Sequence, residues 1–146
     1  MMISTKGRYA LRVMLDLAAH QDAGYLSLKE VSDRQQISAK YLETIVAMLL
    51  RAGLVRSQRG KDGGYCLSRP AGAITAAEIL RMTEGTLAPV ACPSLEGQAC
   101  DRADSCKTLP LWQLLDRQID QCLSAVTLED LLHGRFPDQG PPAAAR

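Results

Sequence analysis

Residues 38–68 leave this chain few ways to fold. Ser38 caps a helical period that runs to about residue 52. Leu42, Ile45, Val46, Leu49 and Leu50 lie on its inner side, and Ser38, Ala39, Lys40, Tyr41, Glu43 and Thr44 face outward over the first turns. Gly53 stops the helix, residues 54–58 read as a strand, Arg59 to Gly64 as a glycine-rich turn, and residues 65–68 as the returning strand. Upstream, Ser27-Leu28-Lys29-Glu30 has the form of a capping box, so a shorter helix starts there and reaches about residue 35, with Ile37 filling the turn. Two helices joined by a tight turn form a helix-turn-helix, whose second helix presents its N-terminal residues to base edges in the major groove. A plain helical hairpin would look similar. A β-hairpin directly behind the second helix, with Arg59 and Lys61 at its tip, reads instead as the wing of a winged helix. Arg59 suits a narrow minor groove of strong negative potential. The turn glycines would let the backbone approach phosphates closely. Cys66 alternates with Tyr65 and Leu67 and is expected to be a packing residue.

The remaining elements follow the same logic. Residues 5–20 carry Tyr9, Ala10, Val13, Met14, Leu17 and Ala18 on one helical face, with Arg8, Arg12 and Asp16 off it. Thr75-Ala76-Ala77-Glu78 is a second capping box, opening a helix that Gly85 stops. Residues 91–107 (ACPSLEGQACDRADSCK) show no helical or strand period and place Cys92, Cys100 and Cys106 in a polar loop. Pro110, in a first turn after Thr108, opens the last major helix. Leu111, Leu115, Ile119, Cys122 and Val126 run along one side of it, widened by Trp112, Leu114 and Leu123. A helix this apolar near the end of a small chain is expected to pack against its twin in a homodimer. Thr127-Leu128-Glu129-Asp130 caps a short closing turn. The expected fold class is mainly α with a small β-hairpin wing. Residues 1–84 form a winged helix-turn-helix, 85–108 the cysteine loop, 109–134 the dimerisation helix and closing turn, and 135–146 a disordered tail rich in Pro and Ala.

Charge and cysteine usage narrow the function. The net charge of +1 hides an asymmetry: residues 1–75 hold eleven Lys/Arg against six Asp/Glu, and residues 76–146 hold six against ten. A basic first half suggests a polyanion partner, double-stranded DNA in this context. With no apolar run near the roughly 18 residues of a membrane span, and no signal peptide, cytoplasmic residence and no membrane partner are expected. Five cysteines in such a chain point to metal binding or thiol chemistry rather than disulfides. Cysteine thiolates are the standard ligands of iron–sulfur clusters, and an exposed polar loop suits a cluster that can be lost or attacked. A zinc site and metal-free thiol oxidation near Arg102 and Lys107 use the same residues and stay open. His20 and His133 are the only histidines, and no nucleophile–base spacing is visible, so catalysis is not expected. A small electron-transfer protein would leave the helix-turn-helix, Arg59 and the basic half without a use.

KGRYA near the start, ISAKYLE on the third helix and RGKDGGYCL in the wing resemble the Rrf-two family of bacterial winged-helix regulators, over nearly the whole chain. Three cysteines after the wing set it nearer the iron–sulfur (IscR-like) branch. The resemblance implies a DNA-binding transcriptional regulator, expected to be a repressor, that senses cluster or redox status. It also implies a homodimer with crossed C-terminal helices, and a cluster held by Cys92, Cys100 and Cys106. That cluster is expected to be 2Fe-2S, with 4Fe-4S and a nitric-oxide response as the alternative within the same branch. Glu43 is implied in operator specificity and Arg59 in the minor groove; Lys40 and Tyr41 are added from their place on the exposed turns. Two features depart from the pattern. IscR-like members take a fourth ligand from a histidine where this chain has Leu109, and NsrR-like members can take one from a carboxylate on the first helix of the partner subunit, at a position where this chain has Arg8. Asp104, Asp101 and Glu96 are the fourth-ligand candidates within the loop, with Cys122 a remoter one.

Overall fold

The computed structural model describes residues 2–137. Six α-helices and one hairpin follow in the order α1 (Thr5–Ala19), α2 (Leu28–Gln35), α3 (Ala39–Arg51), β1 (Val55–Gln58), β2 (Gly64–Leu67), α4 (Ala76–Glu84), α5 (Leu109–Ala125) and α6 (Leu128–His133). The fold is mainly helical with a two-stranded antiparallel wing, as expected. Local chemistry sets most helix starts. Ser4, Ser27, Ser38, Thr75 and Thr127 each accept a hydrogen bond from a first-turn N–H, and three of them form reciprocal capping boxes with Glu30, Glu78 and Asp130. Gln36 then adopts a left-handed conformation (φ 55°), which turns the chain between α2 and α3.

The core is aliphatic. Val13, Met14 and Leu17 of α1, Leu42, Ile45 and Leu49 of α3, Ile74, Ile79 of α4 and Leu128 of α6 are buried together. Each such side chain contributes about 1.5–3 kcal/mol by leaving water. The closing turn is thus a real helix whose first residue sits in the core. It is fastened there by backbone pairing: the Ala76 N–H donates to Val126 (2.9 Å) and the Leu128 N–H to Ile74 (2.9 Å).

The wing gains an outer contact, and one expectation changes in α1. The strands pair Val55 with Leu67 and Gln58 with Gly64, and Leu26 joins as an outer bridge through two bonds with Tyr65 (2.8 and 2.9 Å). Two of the three turn glycines, Gly63 and Gly64, serve that pairing, while Gly60 at the tip has open space around it. A Cβ at Gly64, where φ is +147°, would collide with the Leu26 carbonyl, and one at Gly63 with the carbonyl of Gln58. Asp16 does not lie on an outer face. It is 4% exposed, and its carboxylate accepts bonds from Arg34 Nε (3.0 and 3.1 Å), Arg34 Nη2 (2.7 Å) and Gln35 Nε2 (2.8 Å). Such a buried charge is tolerable only when paired this completely.

Helix α5 behaves differently from the rest. No residue of its seventeen is buried, and Leu111, Leu114 and Leu115 are 55%, 48% and 41% exposed. It touches the body through α4, where Arg81 pairs with Asp120. Of the expected tail, Arg135 to Pro137 is exposed, and residues 138–146 lie outside the described residues.

Candidate nucleic-acid interface and cysteine loop

Helix α3 and the wing each expose polar side chains. Ser38, Lys40, Glu43 and Thr44 are exposed on the first turns of α3, because Leu42, Ile45 and Val46 turn the opposite face into the core. The Ser38 side chain is engaged as the cap of α3, accepting from the Tyr41 N–H at 3.3 Å. Arg56, Arg59 and Lys61 are exposed on the wing. Among the described residues no carboxylate pairs with Lys40, Arg59 or Lys61, so their charge is available to a polyanion.

Tyr41 departs from its expected outward position. It is half-buried and packs edge-on against Tyr9 of α1, with ring centroids 5.7 Å apart at 76°. Arg12 lies over the other ring, 5.1 Å from the Tyr9 centroid, and its guanidinium also bonds Gln35, through Nε to Oε1 (3.2 Å) and through Nη2 to the backbone carbonyl. The sequence offered no signal for this chain of contacts, whose members lie up to 32 positions apart.

The cysteine loop joins α4 to α5. It contains two single 3-10 turns, Pro93–Glu96 and Ala103–Ser105, held by short-range backbone bonds such as Leu95 N–H to Cys92 and Ala103 N–H to Cys100. Cys92, Cys100 and Cys106 are free and half-buried. Cys106 stands just before α5, with Sγ 3.4 Å from the Thr108 hydroxyl. That contact, the Thr108 and Leu109 N–H groups and the charge of Arg102 hold its thiol below the usual range. This is the setting that favours a thiolate. As donors, three free thiols on one loop suit a thiolate-bound group. Among the described residues, however, no three Cys, His, Asp or Glu side chains are gathered as a metal site. Asp104, Asp101 and Glu96 are exposed on the loop and join no such set. Cys122 is exposed on α5 beside Gln118, Ala125 and Phe136. Cys66 is half-buried, outside the central core, on a surface groove of about 490 Å³ with Tyr25, Arg56 and Arg69.

An amphipathic second helix, a basic wing and a cysteine loop on one frame define a winged-helix DNA-binding regulator. Comparison with known proteins agrees. Residues 3–134 match the Rrf2 family, described as iron-dependent transcriptional regulator, and the chain belongs to that family. It is 40% identical over 132 residues to the HTH-type transcriptional regulator IscR of Xenorhabdus nematophila, covering 90% of this chain and 79% of that one. It is 41% identical over 140 residues to a putative HTH-type transcriptional regulator of Neisseria meningitidis, covering 96% and 93%. Among solved structures, CymR, the global cysteine regulator of B. subtilis, superposes with TM-score 0.78 at 38% identity, covering 92% of this chain and 98% of that one. IscR of T. potens superposes with TM-score 0.74 at 34% identity, covering 98% and 94%. No described helix is long and apolar enough to cross a membrane.

Proposed function

We propose that this chain is a cytoplasmic, homodimeric repressor that reads a double-stranded DNA operator and senses iron–sulfur or redox status through Cys92, Cys100 and Cys106. The observation that carries the reading is that all three thiols, free and half-buried, sit on the one segment connecting α4 of the DNA-reading body to α5. In this reading Lys40 and Glu43 meet base edges, Arg59 enters the minor groove, Lys61 binds phosphate and Ser38 sets the start of the reading helix. The exposed leucines of α5 meet the same face of a second copy.

The three cysteines would hold a cluster, 2Fe-2S in the leading reading and 4Fe-4S in the other, which when bound supplies a redox-active centre that oxidants can dismantle. The chain's own part is mechanical. Residues 90–108 are tied by single-turn bonds, so drawing the three thiols together costs little and moves the start of α5. A dimer reads half-sites about one helical turn apart, so a small change in the relation of α5 to α4 alters affinity for a fixed spacing. A cluster-free thiol switch is the second reading, favoured by the lowered Cys106 pKa and by thiols that stand apart. Anaerobic purification, an absorption spectrum and iron and sulfide analysis, repeated on Cys92→Ala, Cys100→Ala and Cys106→Ala, decide between them. Colour that needs all three cysteines supports the cluster. A colourless protein with full, oxidant-sensitive DNA binding supports the thiol switch. Equal operator affinity in all redox and loading states sinks both.

A further inference from the structure

Arg12 is exposed on α1 yet makes contacts an ordinary surface arginine does not. Its Nε donates to Gln35 Oε1 (3.2 Å), its Nη2 donates to the Gln35 carbonyl, and its guanidinium carbon lies over the Tyr9 ring, 5.1 Å from the centroid. Gln35 is the last residue of α2, where backbone carbonyls run out of helical partners and a cation is favoured. The other end of the Gln35 amide donates to buried Asp16 (2.8 Å), so both ends of that side chain are committed to α1. Directly after it come Gln36, in the left-handed region, then buried Ile37 and Ser38, the cap of α3. On its other side, Arg12 backs Tyr9, whose ring meets Tyr41 on the first turn of α3. The guanidinium therefore braces the reading helix at two points: through the end of α2 that feeds its cap, and through the ring set edge-on against its first turn.

We propose that Arg12 is a positioning residue for DNA specificity, setting the angle at which α3 enters the groove without itself binding DNA. This rests on the proposed reading of α3 as the recognition helix. A fork that bonds both a carbonyl and an amide oxygen while holding its charge over a ring needs the several fixed donors of a guanidinium, so lysine is a poor substitute. Base-edge bonds depend steeply on geometry, whereas phosphate attraction does not. Loosening the brace should therefore cost sequence-specific affinity and spare non-specific affinity.

The test uses the full-length protein, purified anaerobically. The probes are a duplex that the wild type selects from a random-sequence pool and a scrambled duplex of the same composition. For Arg12→Ala and Arg12→Lys the expected result is a fall of about tenfold in affinity for the selected duplex and less than about twofold for the scrambled one. The slope of log affinity against log salt should stay unchanged, since a lost phosphate contact lowers that slope by about 1. Amide hydrogen exchange should quicken at residues 35–41 while α4 keeps its protection, and melting should move little because Arg12 is exposed. A specific-to-scrambled ratio equal to that of the wild type overturns the proposal, as does an equal loss on both duplexes with a reduced salt slope, which would make Arg12 a phosphate ligand. A wild type that selects no duplex refutes the DNA-reading function itself, a result distinct from either.

Discussion

Replacing Asp16 with alanine tests whether the buried ion pair supports the helix-turn-helix. The Asp16 side chain is 1% exposed and takes four bonds from Arg34 and Gln35, while Arg34 keeps 33% of its side-chain surface in water. Removing one partner of a buried pair costs about 3–5 kcal/mol, mostly through the charge left behind. Here that charge is the partly hydrated guanidinium of Arg34, so the lower end applies and the expected loss is about 3 kcal/mol. At about 3 °C per kcal/mol for a chain of this size, melting falls by about 9 °C. Burial works to raise the Asp16 pKa, but the bonds from Arg34 and Gln35 with the charges of Arg34 and His20 outweigh it, and the carboxyl lies below its usual value. A folded-state pKa below the unfolded one means the contribution is complete above the unfolded carboxylate range, near pH 4, and is lost as pH falls through the folded value. The gap between wild type and Asp16→Ala should therefore be full at neutral pH and close in acid. Thermal melts followed by circular dichroism at fixed protein concentration measure it. A gap under about 1 kcal/mol at neutral pH, or one that persists undiminished in acid, would refute the reasoning.

Other expectations follow from single contacts. Gly64→Ala puts a methyl against the Leu26 carbonyl in a backbone region that L-residues avoid, so it should cost about 1–3 kcal/mol and disorder the wing, visible as faster amide exchange at Leu26 and Tyr65. Leu115→Glu places charge on the exposed face of α5; sedimentation should show dimers for the wild type and monomers for the variant, with little change in melting of the dilute protein. Lys61→Ala should weaken all duplexes alike and lower the salt slope by about 1, whereas Arg59→Ala should weaken narrow-groove, A·T-rich sites most in the same titration.

Much of this protein was legible because its signals are local. The Ser-x-x-Glu at Ser27 and the Thr-x-x-Glu at Thr75 satisfy their own helix ends, so they announce α2 and α4 from four residues each. The period of Leu42, Ile45, Val46 and Leu49 turns Lys40 and Glu43 outward whatever the rest of the chain does. The spacing of the three cysteines marks the cysteine loop in the same way. What misled the reading was chemistry with distant partners. Asp16 reads as a surface acid until Arg34, 18 residues later, neutralises it. Tyr41 reads as a groove-facing residue until Tyr9 takes up its ring. Gly63 and Gly64 carry no local sign that the Gln58 and Leu26 carbonyls leave no space for a Cβ there.

Sequence alone was enough for the helices, the hairpin, the outward face of α3 and the gathering of thiols on one loop, since each follows from periods and caps within a few residues. Only the tertiary structure decided which charges are buried, which aromatic ring meets the first turn of α3, and that Leu128 closes the core while the α5 leucines stay uncovered. Those outcomes depend on what lies opposite a residue once the chain has packed, and no local pattern records that.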